Sequence, residues 1–291
     1  MRVRTPFGTV PGAGEAAIVT LANASGMTVD ILNYGATIHA VRVPDRDGVF
    51  ADVALGHKSI EGYIAGSEYF GASVGRVANR IAGGRFTLDG VMHQLPLNDG
   101  ANSLHGGTTG FNKRLWTIRI ASAERVVLHL VNPDGDQGFP GTLDVTATHA
   151  LDDENRLSVT YEAKTDRPTI VNLTNHSYWN LAGEGSGSAL DHRLMIAADQ
   201  FLPTDAGLIP TGEVRPVAGT AFDFRDATPI GVRIREGSDE QLRIGRGYDH
   251  NWVVGDGVAT APRRVARAED PQSGRTLDLW SDQPGLQFYS G

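Results

Sequence analysis

Four short segments of this 291-residue chain concentrate polar and aromatic side chains that could carry out chemistry. They lie at 75–81, 102–107, 172–180 and 247–250, and together they supply histidines, arginines, amides, a carboxylate and aromatic rings. Sugar hydroxyls need paired donors and acceptors, and an aromatic face covers the apolar C–H patches of a sugar ring. The set therefore suits recognition of a neutral polyol.

Each of these features also has an ordinary structural interpretation. A single histidine such as His105 or His176 in a β protein is more often a satisfied structural group than a catalyst. The asparagines fit turns, because their side chains hydrogen-bond the nearby backbone, and Asp249 fits a turn for the same reason. Tyr178 fits a core aromatic with a polar handle. The chain has no His-x-x-x-His or comparable ligand spacing, so no metal site is predicted.

The remaining sequence is dominated by apolar residues at every second position, which is typical of strands. Residues 85–88 and 91–95 flank Asp89-Gly90, a pair that favours the type I′ turn of a hairpin. A second hairpin is predicted between 265–268 and 276–280, and only 59–65 suggests a short helix. With 36 glycines and 14 prolines punctuating the chain, we predict an all-β protein that forms a single domain over 1–291.

Composition restricts the partners and the compartment. The net charge of -8 argues against nucleic acid and anionic membranes as partners, because such a chain repels phosphate. The absence of cysteine excludes disulfides and thiolate nucleophiles and fits a reducing compartment. Neither a secretory signal at 1–14 nor an apolar run of about 20 residues is present. We therefore expect a cytoplasmic protein.

Three of the segments resemble the signatures of aldose 1-epimerases: GRVANRIA at 75–82, NSLHGG at 102–107 and TNHSYWNL at 174–181. Further stretches similar to that family follow in the same order at 134–141, 201–204, 209–212, 222–225, 248–250 and 283–289. Any one motif is weak, but an ordered set over almost the whole chain is specific. The resemblance implies a large antiparallel β-sandwich of the galactose mutarotase-like type, often called a supersandwich.

The resemblance also implies a reaction, the interconversion of the α and β anomers of galactose or glucose. It implies a small sugar as the partner, no metal or organic cofactor, and a monomer or weak homodimer. In this reaction the C1 hydroxyl loses a proton while the ring oxygen O5 gains one, so a base at O1 and an acid at O5 must act together. Histidine suits the acid role because its ordinary pKa is ~6.5.

The matching positions suggest which residues carry these roles. His176 matches the general acid toward the ring oxygen, and His105 matches a second histidine that acts near the same oxygen. Tyr178, beside His176, is expected to face the substrate. The other matches are contacts to the sugar: Asn79 and Arg80 to hydroxyls, Asp249 as a carboxylate acceptor on the far side of the ring, and Gln287 as an amide. We expect six of these side chains to converge on one open pocket: His105, His176, Asn79, Arg80, Asp249 and Gln287.

One departure from the family pattern affects the base. The family places a glutamate in a Glu-Thr-Gln-like context after the Gln287 segment, and the sequence stops at Gly291 before such a motif. Neither Glu184 nor Glu213 matches it. We expect a chain truncated at its C terminus that lacks its last strands and is nearly inactive. Two alternatives stay open: a sugar-binding module of the same fold without turnover, and a hexose-6-phosphate 1-epimerase, which would need extra cations that Arg76 and Arg80 do not establish.

Overall fold

A computed structural model of the protein describes residues 4–291. Within this range nearly all regular structure is β-strand, and every pair of neighbouring strands is antiparallel. The described residues divide into two compact units, one of 4–44 with Val49–Trp179 and one of Asp45–Gly48 with Asn180–Gly291. The single domain expected over 1–291 stays a prediction.

The first unit contains fifteen of the strands found in the described residues. They are β1 (Arg4–Val10), β2 (Gly14–Ala22), β3 (Thr28–Leu32), β4 (Thr37–Pro44), β5 (Phe50–Asp52), β6 (Ala72–Val74), β7 (Arg80–Ile81), β8 (Arg85–Leu88), β9 (Val91–Gln94), β10 (Ser103–Leu104), β11 (Thr117–Ala121), β12 (Arg125–Asn132), β13 (Leu143–Leu151), β14 (Leu157–Thr165) and β15 (Thr174–His176). One helix, α1 (Ile60–Ala65), and three 3-10 turns, Ala82–Gly84, Phe111–Lys113 and Asp136–Gly138, interrupt them.

Two sheets of the first unit form a sandwich. Strands β1 to β5 make one sheet in chain order, strands β11 to β14 make the other, and β2 packs against β12 and β13. The alternating residues of these strands are the buried ones, among them Val19, Leu21, Val126, Leu128 and Val145. Burial of one face of each sheet is what the period-two pattern predicts.

Two local predictions in the first unit are confirmed. Strands β8 and β9 form the hairpin expected around Asp89-Gly90, with φ of 49° at Asp89 and 78° at Gly90. Positive φ at both central residues is the requirement of a type I′ turn, which glycine meets without a steric penalty. The short helix expected at 59–65 is α1, which begins at Ile60.

The second unit is also a pair of sheets. Its strands are β16 (Arg193–Ile196), β17 (Gln200–Leu202), β18 (Arg215–Pro216), β19 (Thr228–Pro229), β20 (Asp249–Val253), β21 (Arg263–Glu269), β22 (Thr276–Ser281) and β23 (Gly285–Tyr289). The orders are β19-β16-β21-β22 and β18-β17-β20-β23. The hairpin predicted between 265–268 and 276–280 is confirmed as β21 and β22. A 3-10 turn, Ile230–Val232, and helix α2 (Glu240–Gly245) complete the unit.

An aromatic core holds the second unit together. Phe201 and Phe222 stack with ring centroids 4.2 Å apart, and Phe224, Tyr248 and Trp252 are buried around them. The sequence analysis did not predict α2. This helix is only six residues long, and it is initiated by the Asp239 carboxylate, which accepts hydrogen bonds from two backbone N–H groups of its first turn. No helix in the part of the chain from 4 to 291 has both the length and the apolar composition needed to span a bilayer.

Candidate active site

Two short strand pairs of the first unit bring the two candidate histidines together. Strand β10 pairs with β7 and ends just before His105, with Leu104 opposite Arg80. Strand β15 pairs with β6 and ends at His176, opposite Ala72. The imidazole centroids of His105 and His176 lie 5.1 Å apart, with the ring planes at 89°. Both rings can therefore reach one small group at the same time.

The tautomer of His105 follows from a backbone contact. The N–H of Asn79 donates to Nδ1 of His105 over 3.0 Å, and the N–H of His105 donates to the carbonyl of Asn79 over 3.0 Å. Both residues have left-handed backbone, with φ of 62° and 53°. Because Nδ1 accepts a hydrogen bond, the proton of the neutral ring sits on Nε2. His105 therefore presents an N–H donor.

The charge of His105 is set by its surroundings. Burial, followed by the neighbouring His176 and Arg80, lowers its pKa to about 3. Burial disfavours the charged form of an imidazole, and two imidazolium rings this close would repel each other. His105 is therefore neutral near pH 7.

Arg80 is held in place by a carboxylate that the sequence analysis did not identify. Its Nε donates to Oδ2 of Asp99 over 2.7 Å, and its Nη1 donates to Oδ1 of Asn79 over 3.2 Å. The Arg80 side chain is only 12% exposed, whereas that of Asp99 is 36% exposed. A charge-assisted pair with one buried partner gives the guanidinium a defined direction.

Aromatic rings surround the histidine pair. The ring of Tyr178 lies 5.3 Å from that of His176, and Phe70 packs edge-on against Tyr178 at 5.0 Å. Tyr69 contacts both histidines, with centroid distances of 4.6 Å to His105 and 5.6 Å to His176. Sequence reasoning missed Tyr69, which lies outside the four polar segments and carries no motif of its own.

Asp249 and Gln287 lie in the second unit, on the neighbouring strands β20 and β23. Nε2 of Gln287 donates to Oδ1 of Asp249 over 2.8 Å. The backbone N–H of Asp249 donates to Nδ1 of the buried His250, whose Nε2 lies 3.2 Å from Oε1 of Gln241. The amide of Gln287 thus contacts the carboxylate of Asp249 directly. The convergence of this pair with His105, His176, Asn79 and Arg80 of the first unit stays a prediction.

Arg76, considered above as a cation for a phosphate group, has a structural role. It is 1% exposed, and its guanidinium donates to the carbonyls of Asn132, Pro133 and Pro140 and to the Asn132 side chain. These bonds close the loop that follows β12. Residues 4–291 also contain no cluster of three or more histidine, aspartate and glutamate side chains arranged to hold a metal ion.

Comparison with known proteins identifies the family. The sequence model described as aldose 1-epimerase matches residues 17–291. The chain belongs to the aldose 1-epimerase family. The family resemblance recognised in the sequence motifs is thereby confirmed.

Relatives within the family match over nearly the full chain. The galactose mutarotase of Rattus norvegicus is 46% identical over 288 residues, which are 99% of this chain and 81% of that protein. The aldose 1-epimerase of Escherichia coli K12 is 43% identical over 277 residues, covering 94% of this chain and 78% of that protein.

Solved structures similar to this chain include galactose 1-epimerase from Lactobacillus acidophilus, with a TM-score of 0.87, 34% identity, and coverage of 99% of this chain and 82% of that one. An aldose epimerase homologue from C. elegans has a TM-score of 0.83, 27% identity, and coverage of 94% and 90%. Together with the antiparallel sheets, these similarities confirm the predicted fold class, the galactose mutarotase-like β-sandwich.

Proposed function

We propose that this chain interconverts the α and β anomers of a free hexose, galactose or glucose, by acid–base opening and reclosure of the ring. The observation that carries the proposal is the pair formed by His105 and His176, whose rings are 5.1 Å apart. His105 is a neutral donor, and the family resemblance assigns the acid role to His176. Membership of the aldose 1-epimerase family and the names of the rat and E. coli relatives support the same reaction.

In the proposed mechanism His176 gives its proton to the ring oxygen as the C1–O5 bond breaks. The Nε2–H of His105 donates a hydrogen bond beside the same oxygen and supports the charge that develops there. A base removes the proton from the C1 hydroxyl, which leaves an aldehyde. After rotation about C1–C2, the aldehyde is attacked by O5 from its other face, His176 recovers its proton, and the base returns the one it took.

The base at O1 is assigned only by resemblance, to a glutamate in a Glu-Thr-Gln-like context after the Gln287 segment. This assignment stays a prediction. The contacts to the sugar are proposals of the same kind: Arg80 and Asn79 to hydroxyls, Asp249 and Gln287 to the far side of the ring, and Tyr178 to an apolar face.

The contacts of the arginines favour a neutral sugar over a hexose 6-phosphate. The guanidinium of Arg76 is committed to loop carbonyls, and that of Arg80 is paired with Asp99. A phosphate site needs cationic donors directed at the ligand. The remaining alternative, a sugar-binding module, would bind the same sugar without catalysing its interconversion.

We propose that the protein is cytoplasmic, because it contains no cysteine. We propose a monomer or weak homodimer on the basis of the family resemblance.

Polarimetry of freshly dissolved α-galactose or α-glucose tests the proposal. A version of the protein that includes the glutamate expected after the Gln287 segment should accelerate the drift in optical rotation. In that version His176→Gln should lower kcat by ~10²–10⁴-fold, the usual contribution of a general acid. His129→Gln serves as a control, because the His129 ring contacts Arg119 on β11 and Asp144 on β13. Acceleration that survives His176→Gln would remove this residue from the acid role, and sugar binding without any acceleration would favour the binding module.

A further inference from the structure

Tyr69 contacts both histidines of the site, although the proposed acid–base mechanism gives it no role. Its ring meets His105 edge-on at 4.6 Å with the planes at 65°, and it lies tilted by 34° beside His176 at 5.6 Å. It is therefore an aromatic ring in contact with both imidazoles. Its own phenol does not serve as a proton carrier near neutral pH, because burial, followed by Asp99, raises the pKa of Tyr69 from a value that is already about 10.

The backbone at Tyr69 is held in an unusual conformation. Its φ is 59°, a left-handed value that costs a bulky residue energy and persists only where neighbouring structure enforces it. Here the enforcement comes from Gly71, two residues on. The N–H of Gly71 donates to the carbonyl of His176 over 2.9 Å, and its carbonyl accepts from the N–H of Ile38 over 2.9 Å. The turn that carries Tyr69 is thus fastened directly to the strand that carries His176.

The far side of this turn leaves little room for solvent. Tyr69 and Phe70 line a cavity of about 20 Å³ together with Thr37, His57 and Asn112. A cavity of this size holds roughly one water molecule. Replacing the Tyr69 ring by a small side chain would enlarge it toward the histidines, so that water could hydrate His105.

We propose that Tyr69 is a positioning residue that shields the His105–His176 pair from water and so keeps His105 a neutral hydrogen-bond donor. The effect of this shielding on catalysis rests on the proposed function, whereas its effect on the charge of His105 does not. The charged and titratable groups around His105 are His176 on β15, Arg80 on β7 with its partner Asp99, and Tyr69 itself. Of these, only Tyr69 is an uncharged ring over the pair, and it can be exchanged without changing the charge near neutral pH.

The test follows the histidine resonances of the 1–291 chain by NMR between pH 5 and 8, with His105→Gln identifying the signal of His105. In the wild-type chain His105 should stay neutral throughout, since its pKa lies near 3. In Tyr69→Asn its titration should move into this window, toward the ordinary value of about 6.5. Asparagine is the chosen replacement because it tolerates left-handed backbone. Tyr69→Gly repeats the measurement if the asparagine variant does not fold.

Two matched variants separate shielding from general damage to the turn. Tyr69→Phe keeps the ring and should leave His105 neutral. Phe70→Leu alters the same turn but not the contact with His105, and it should also leave His105 neutral. The proposal is overturned if His105 in Tyr69→Asn or Tyr69→Gly stays neutral down to pH 5, or if Phe70→Leu shifts it equally. The titration uses no substrate, so its outcome is independent of whether polarimetry supports the proposed function.

Discussion

The backbone N–H of Asn79 and Nδ1 of His105 form a hydrogen bond of 3.0 Å, so Asn79 acts on the site through its main chain as well as its side chain. Asn79→Gly separates these two roles, because glycine adopts the φ of 62° and keeps the N–H. We expect ¹⁵N NMR to show His105 still protonated at Nε2. The KM for sugar should rise by about 2- to 13-fold, the equivalent of one hydrogen bond.

The control for Asn79→Gly is Asn155→Gly. Asn155 is a turn residue with φ of 60°, and its side chain contacts Asn23 and Ser25 rather than the histidine pair. This variant should leave both KM and the tautomer unchanged. A change of the His105 tautomer in Asn79→Gly would contradict the role assigned to the backbone bond.

Asp99→Asn is expected to impair sugar binding through Arg80. The substitution keeps the shape of the side chain but removes the charge that attracts Nε of Arg80 at 2.7 Å. Weakening such a pair by about 1 kcal/mol should raise KM roughly fivefold and change kcat less. Steady-state polarimetry measures both constants.

A double-mutant cycle checks that Asp99 acts through Arg80. In the background of Arg80→Lys, adding Asp99→Asn should raise KM little further, because the effects of substitutions at coupled residues are not additive. Asp278→Asn, which breaks the exposed contact with Arg267, should have no effect on KM. Full additivity of Asp99→Asn and Arg80→Lys would show that Asp99 acts by another route.

Gln287→Glu is expected to weaken sugar binding in a pH-dependent way. The amide of Gln287 donates to Oδ1 of Asp249 at 2.8 Å, and a second carboxylate there would repel the first. Two carboxylates that share a site raise the pKa of one of them. KM at pH 7 should therefore rise, by roughly 5- to 150-fold for an unsatisfied polar group, and should partly recover as the pH is lowered toward 5. A KM that is independent of pH would contradict the pairing, and Gln287→Leu serves as the uncharged comparison.

His149 makes the stability of the first unit depend on pH. It is fully buried, neither ring nitrogen has a hydrogen-bond partner among the described residues, and burial lowers its pKa to about 4. In the unfolded chain the value is about 6.5, so between these values the unfolded state binds more protons. The contribution of His149 to the free energy of unfolding is therefore fully present above pH 6.5. It falls by up to about 3 kcal/mol as the pH drops toward 4.

Urea unfolding of His149→Leu at pH 7 and pH 4.5 tests this expectation. The difference in unfolding free energy between the two pH values should be about 2–3 kcal/mol smaller in the variant than in the wild type. Burial also lowers the pKa values of His105 and His250, so part of the pH dependence should remain. An unchanged difference would mean that His149 does not contribute.

The sequence predicts local structure well where one residue pair decides the geometry. Asp89-Gly90 specifies the hairpin of β8 and β9, and the alternation around Val126 and Val145 specifies which face of each strand is buried. Helix α2 escaped prediction because it depends on a single cap, Asp239, rather than on an apolar stripe.

Only the site residues that lie within sequence motifs could be predicted. His105 and His176 stood out because they lie in polar segments, and the structure places their rings side by side. Tyr69 and Asp99 did not stand out, because their contribution depends on a left-handed backbone angle and on an ion pair. Neither property is encoded by residue type at one position, since both arise when distant segments meet.

The backbone hydrogen bonds of Gly71 to His176 and Ile38 have a consequence for laboratory evolution of the enzyme. A Cβ at this position would lie 1.9 Å from the carbonyl oxygen of Ile38, and the φ of 64° adds a second obstacle. Saturation libraries should therefore find no replacement at 71, whereas Gly90, with open space around it, should accept asparagine. Specificity can be diversified at Tyr69 or Phe70, the two residues that precede the fixed glycine, whereas a library that randomises the whole turn would consist mostly of chains that cannot form it.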